Sequence, residues 1–186
     1  MLKLFFRGFF GLLFKLMGWK MEGKSPHQEK KFVMIVGPHT SSKDFYIGVM
    51  ARSIAQIEYV KFLGKIELFK FPVGIILRAM GGYPVDRSKN NNLVDSVVEI
   101  FNSKESFAIA LAPEGTRQKV KKLRSGFYHI AEKAGIPIVM VGFDFKRKTV
   151  SIQEPFWPTD NPKADMEFIW GYYTGVTGDK PELGIS

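Results

Sequence analysis

His39 and Asp44 are the first pair of residues able to move a proton. They stand in Gly37-Pro38-His39-Thr40-Ser41-Ser42-Lys43-Asp44. An imidazole titrates near neutrality and can act as a general base. A carboxylate on its other nitrogen would fix the tautomer and stabilise the imidazolium. Five residues on one ideal helix subtend about 140° around the axis, so two residues that far apart point in different directions. The pair can meet only if His39 sits in a loop and Asp44 in the first turn of the following helix. The hydroxyl to be activated would then belong to a substrate. The same string also admits a purely structural role, because Ser41-x-x-Asp44 resembles a capping box.

Two further strings could bind an anion. Leu111-Ala112-Pro113-Glu114-Gly115-Thr116-Arg117 follows the apolar run Phe107–Leu111, and five of the eight residues 117–124 are basic. Open α/β sheets place ligands at the carboxyl ends of strands. Arg117 and Arg124 offer guanidinium forks suited to phosphate, and Glu114 could orient an arginine or accept a substrate hydroxyl. A solvated basic loop is the alternative. In Gly81-Gly82-Tyr83-Pro84-Val85-Asp86-Arg87 the glycines permit a sharp turn. Arg87 there either suits a phosphate or pairs with Asp86.

Several chemistries are excluded. With no Cys the chain has no thiol nucleophile, disulfide scaffold or Cys-ligated zinc. Three His, at 27, 39 and 129, argue against a His-rich metal site. There is no G-x-S-x-G and no G-x-G-x-x-G. Gly18–Ser25 does satisfy G-x-x-x-x-G-K-S. That motif works only between a buried strand and a helix whose N-terminus faces the phosphates. Here a greasy basic segment precedes it and Pro26 follows, so it is set aside.

The elements that must position these groups follow from periodicity. The 186 residues suit one domain with a real core, at 45% hydrophobic content. Strands are predicted at Phe32–Val36, Ile57–Val60, Tyr83–Asp86, Phe107–Leu111, Ile136–Phe143 and Thr149–Ile152. Helices are predicted at Asp44–Gln56, Phe71–Met80, Asn92–Asn102 and Gly126–Lys133, with a last one opening at Asp160-Asn161-Pro162. Alternating β and α elements predict a single α/β domain with a largely parallel central sheet flanked by helices.

The net charge is +9, and residues 1–31 hold seven basic against two acidic residues. On a helical wheel of residues 1–20, Lys3, Arg7, Gly11 and Lys15 form one stripe, and Phe, Leu, Met17 and Trp19 cover the rest. Leu4 and Phe14 break the pattern. The longest uncharged run, Gly8–Phe14, falls short of the ~20 residues a spanning helix needs. No small-residue cleavage site follows it. Two readings remain: an amphipathic helix lying in a lipid interface, or one covering an apolar patch of its own domain. Polar Lys20–Lys31 reads as a linker. Residues 1–31 therefore divide off as a membrane-associating helix and linker, and 32–186 as the catalytic domain.

Together, His39-Thr40-Ser41-Ser42-Lys43-Asp44, Gly81–Arg87, Pro113–Arg117 and Gly135-Ile136-Pro137-Ile138-Val139 resemble, in order, the four sequence blocks of the glycerophospholipid acyltransferases. That family includes the lysophosphatidate (1-acylglycerol-3-phosphate) acyltransferases. The resemblance covers roughly residues 32–145. It implies His39 as general base on an acceptor hydroxyl, oriented by Asp44, with direct attack on an acyl thioester and no cofactor. It implies Glu114 and Arg117 holding the glycerophosphate, with Arg87 and Arg124 adding charge. The backbone amides of Gly115 and Thr116 are our own candidates for oxyanion stabilisation.

The implied partners are acyl-CoA or acyl carrier protein as donor, a lyso-phospholipid acceptor and an anionic membrane surface at the cytoplasmic face. A nucleic acid is not among them, because the basic residues adjoin no recognisable binding module. Other lyso-lipid acceptors, a thioester hydrolase and a non-catalytic lipid-binding protein are the competing functions.

Overall fold

Alternate residues of the segment Lys31–Gly37 face opposite cores. Phe32 and Met34 belong to one apolar cluster, Val33 and Ile35 to the other, and all four are buried. Ile138–Asp144 divides likewise, with Ile138 and Met140 on one side and Val139, Val141 and Phe143 on the other. A strand buried on both faces reads as a continuous apolar run, the mark of a parallel sheet with helices on each side.

The computed structural model describes residues 2–85 and 93–185. Its elements are α1 (Leu2–Leu16), β1 (Lys20–Gly23), β2 (Lys31–Gly37), α2 (Lys43–Ile54), β3 (Lys61–Lys65), a 3-10 turn (Ile66–Phe69), α3 (Val73–Ala79) and β4 (Gly82–Val85). They continue with α4 (Leu93–Asn102), β5 (Phe107–Leu111), α5 (Gly126–Ala134), β6 (Ile138–Asp144), β7 (Thr149–Ile152), α6 (Pro162–Thr174) and a closing 3-10 turn (Pro181–Leu183). The sheet order is β1-β7-β6-β2-β5-β3-β4. Among the described residues, every pairing between these strands is parallel except that of β6 with β7. The α/β domain with a mostly parallel sheet is as the sequence predicts. Helices α4, α5 and α6 supply Phe101, Phe127 and Ile169 to one core, and α1 and α2 supply Phe14, Ile47 and Met50 to the other. Helix α6 opens as predicted, with Pro162 in the first turn and the Asn161 side chain accepting the Ala164 amide at 3.2 Å.

Two expectations need correction. Lys20–Gly23 is no linker: it pairs in parallel with β7, from Lys20↔Thr149 to Gly23↔Ile152. The sheet thus begins before residue 32, inside the segment assigned to the helix and linker. A four-residue edge strand of alternating polarity carries no local signal, since its pairing lies more than 120 residues away. Ile57–Val60 is not a strand but a turn, and the strand starts at Lys61. Ile57 and Val60 are still buried, as plugs beneath α2. Arg52 locks this turn by donating to the carbonyls of Glu58 and Met80.

Helix α1 departs from its wheel instructively. Phe14, one of the two pattern breakers, is the side chain that docks the helix: it is buried with Trp19, ring centroids 5.7 Å apart. Leu4, Phe5, Phe9, Leu12 and Leu16 stay more than half exposed. No helix among the described residues is long and apolar enough to cross a membrane.

Candidate active site

The register Ile35↔Leu111 sets the carboxyl ends of β2 and β5 side by side. The loops that leave them, carrying His39 and Glu114, therefore share one crevice. Gly37 lets this happen: a Cβ there would meet the Tyr173 ring at 3.1 Å. Tyr173 donates its hydroxyl to the Ile35 carbonyl at 2.6 Å, so α6 braces the strand end beneath the loop.

His39 lies in the loop and Asp44 in the first turn of α2, the only arrangement that lets them meet. His39 Nδ1 and Asp44 Oδ2 are 3.0 Å apart. The same oxygen accepts the amides of Thr40 and Ser41, each at 2.9 Å. One buried carboxylate oxygen thus both folds the loop and contacts the ring. Its Oδ1 is buried and finds no hydrogen-bond partner among the described residues.

Glu114 is buried behind the histidine, and its Oε1 accepts the His39 amide at 2.7 Å. Burial pushes the Glu114 carboxyl above its ordinary value, against the lowering effect of the His39 amide. Glu114 thus holds the backbone of His39 while Asp44 holds the ring. Its Oε2 is buried without a hydrogen-bond partner among the described residues.

Arg117 reaches the ring from the other side, its Nε donating to His39 Nε2 at 3.1 Å. A guanidinium can only donate, so Nε2 is the acceptor and the ring proton sits on Nδ1, toward Asp44. That is the tautomer a general base requires.

Gly115 has φ +66°, and a Cβ on it would lie 2.5 Å from Arg124 Nε. Only glycine lets Arg124 lie across the turn, and Arg124 also donates its own amide to the Pro113 carbonyl at 2.9 Å. Arg117 and Arg124 therefore flank Pro113–Arg117, both exposed to solvent.

The oxyanion proposal needs amendment. The Gly115 amide donates to the Ala112 carbonyl at 3.1 Å, closing the turn, which leaves the Thr116 amide as the remaining candidate. The Thr116 hydroxyl accepts the Gln118 amide at 3.2 Å. Arg87 and its neighbour Asp86 lie outside the described residues.

Two features escaped the sequence. The first is a cavity of about 580 Å³ with His39, Asp44 and Arg117 among its lining residues. Its walls are almost wholly apolar and include Met34, Ala51, Ala110, Val141, Phe143 and Val150. Met34, Ala110, Val141, Phe143 and Val150 are inward residues of one sheet face, and Ala51 faces them from α2. Small Ala51 and Ala110 among larger neighbours are the only hint in the sequence that this face is not filled. The second is the chain after α6, which folds back over the His39 loop. The Lys180 amide donates to Thr40 Oγ1 at 3.2 Å and Lys43 pairs with Asp179 at 2.9 Å. No local pattern announces contacts that span 136 residues or more.

An imidazole paired with a buried carboxylate thus faces an apolar cavity and an arginine-flanked turn, at the strand ends of a mostly parallel sheet. The fold has a known counterpart in the crystal structure of the 1-acyl-sn-glycerophosphate (LPA) acyltransferase PlsC from Thermotoga maritima. The TM-score is 0.59 at 20% identity, over 91% of this chain and 76% of that one. No curated protein sequence matches the chain. The sequence model of the acyltransferase family matches residues 18–144, well over half of the chain. The chain belongs to the acyltransferase family and is an acyltransferase.

Proposed function

We propose that the protein moves a fatty acyl group from an acyl thioester to the hydroxyl of a lyso-phospholipid, with 1-acylglycerol-3-phosphate as the acceptor. The observation that carries this is the histidine itself: Nδ1 tied to a buried carboxylate, Nε2 an acceptor beside an arginine, and an apolar cavity adjoining both. Nε2 takes the proton of the acceptor hydroxyl as its oxygen attacks the thioester carbonyl. The C–S bond then breaks, and the departing thiolate recovers the proton from His39. Ester and thiol are the products, no acyl-enzyme forms, and the balance needs no cofactor.

Arg117 occupies Nε2 at rest, so the acceptor hydroxyl must displace it. A phosphate on the acceptor supplies the reason for Arg117 to move, because a fork donor prefers a phosphate to an imidazole. The apolar cavity suits an acyl chain, and Arg124 with the lysines of 119–122 suits an anionic headgroup or donor. Acyl-CoA and acyl carrier protein both fit that basic face.

Helix α1 supports action at a bilayer, at the cytoplasmic leaflet where thioester donors are made. Each fully buried Leu or Phe contributes about 1.5–3 kcal/mol and each basic residue near an anionic leaflet about 1 kcal/mol. The apolar face supplies the affinity, and Arg7 and Lys15 select the leaflet.

Purified protein should be given a panel of lyso-lipids, aminolipids included, with both thioester donors, and products scored by mass. Acylation of lysophosphatidate is expected. Thiol release without any acceptor would mark a hydrolase instead. His39→Ala should lower kcat/KM by about 10²- to 10⁴-fold with an unchanged thermal midpoint, and retained turnover would remove His39 as the base.

A further inference from the structure

We infer that the segment Ile66–Ala79 is a second membrane-contacting element, which inserts beside α1 into an anionic bilayer. This rests on the proposed action at a lipid surface.

The segment is apolar outward and anchored inward. Ile66, Leu68, Phe71, Val73, Ile75 and Ile76 are all exposed, Phe71 at 85% and Ile75 and Ile76 at about 60%. The inward side is Phe69 and Gly74. Phe69 is buried against Gly64 and Gly82, and a Cβ at Gly74 would lie 2.0 Å from the Phe69 carbonyl. Arg78 donates to that same carbonyl at 3.1 Å, sealing the turn onto the helix. The outward side chains are therefore not core residues awaiting a better fit, since glycine contacts already fill the space behind them. Helix α1 has the same build: Phe14, with Trp19 just past the helix end, is buried and Phe10 partly so, while Leu4, Phe5, Phe9, Leu12 and Leu16 face outward.

Two observations select lipid as the occupant. The first is continuity. One groove is lined by Phe10 and Leu13 of α1, Met17 just past it, Phe45 and Tyr46 of α2, and Met80 at the end of α3. Phe45 and Tyr46 are themselves exposed. The Arg52–Met80 bond of 2.7 Å fixes α3 to α2. The apolar surface thus runs from α1 across α2 to α3, and Phe45 and Met80 also line the cavity that contains His39. The second is charge. Lys61, Lys65, Lys70 and Arg78 lie in or beside the segment against the single acid Glu67, the pattern of an interfacial element at an anionic leaflet.

The chain has no Cys, so a single introduced thiol reports one position. Ile75→Cys and, as control, Lys163→Cys on α6 at the opposite sheet face would each carry an environment-sensitive fluorophore. Vesicles of phosphatidylglycerol and phosphatidylethanolamine, doped with a nitroxide lipid, are the probe. The label at 75 should shift to the blue and be quenched, and the label at 163 should not. The double variant Ile75→Ser/Ile76→Ser should bind these vesicles at least tenfold more weakly, about 1.4 kcal/mol. It should turn over a short-chain, water-dispersed acceptor at the original rate.

An unquenched label at 75 with unchanged vesicle affinity overturns the inference. So does a spectral shift that grows with protein concentration without vesicles, which would make a second copy the occupant. If the unsubstituted chain acylates no lipid while the label is quenched, the proposed function fails and the membrane contact stands.

Discussion

The two faces of the sheet are covered in opposite ways. On one, α4, α5 and α6 close the core completely: Val97, Phe101, Phe127, Tyr128, Ile169 and Tyr173 are all at most 2% exposed. On the other, α2 lies directly on the sheet, but α1 and the Ile66–Ala79 segment hold on by a few inward residues and turn the rest of their apolar surface out. Folded monomers rarely leave a large contiguous apolar patch uncovered without a use for it. The closed face is built for stability. The open face is built to meet something else apolar, and the cavity containing His39 lies beneath it.

The comparison is broken most directly on the closed side. Phe101→Ala removes a fully buried ring that meets Phe107 edge-on at 5.1 Å. It should cost about 3–5 kcal/mol in unfolding free energy, read by urea denaturation. Tyr173→Phe, in the same core, deletes the hydroxyl that donates to the Ile35 carbonyl and should cost about 1 kcal/mol. Its effect on activity should exceed its effect on stability, because that carbonyl lies below the His39 loop.

A smaller effect sits at the boundary of the two faces. Burial raises the Glu114 carboxyl above its ordinary value of 4.5. Between those two values the folded protein holds a proton that the unfolded chain has released, so stability should fall as pH rises through that window. Glu114→Gln should flatten that part of the profile of thermal midpoint against pH. An unchanged slope would assign it to other groups. The smallest effect belongs to the open side. Phe9→Ala should change unfolding free energy by no more than about 0.5 kcal/mol while reducing the fraction bound to anionic vesicles in flotation. A stability loss as large as that of Phe101→Ala would mean that α1 is an ordinary core helix.

Much of the architecture was legible in the chain. The runs at Phe107–Leu111 and Thr149–Ile152 are strands at the predicted bounds: the first is an unbroken apolar string, and the second is rich in β-branched residues. The helix opening at Asn161-Pro162 was legible from its cap. For His39 and Asp44, helix geometry set the condition for a meeting, a loop-to-helix junction, and the fold supplies that junction. Where local pattern and pairing part company, the reading failed. Lys20–Gly23 is a strand only because β7 lies beside it. Phe14 looked like an error on the wheel, yet it is the residue that attaches the helix.

By itself the sequence determined the alternation of strands and helices, the basic amphipathic start of the chain and the condition under which His39 and Asp44 could meet. Each depends on residues within a few positions of one another, where side-chain period and backbone geometry decide the outcome. Only the tertiary structure decided that Arg117 caps His39 Nε2, that Glu114 holds the His39 backbone, that the chain end folds over Thr40 and that one sheet face stays hollow. Those contacts join segments 75 to 140 residues apart, and the register of β2 against β5 and β6, not any local preference, brings them together.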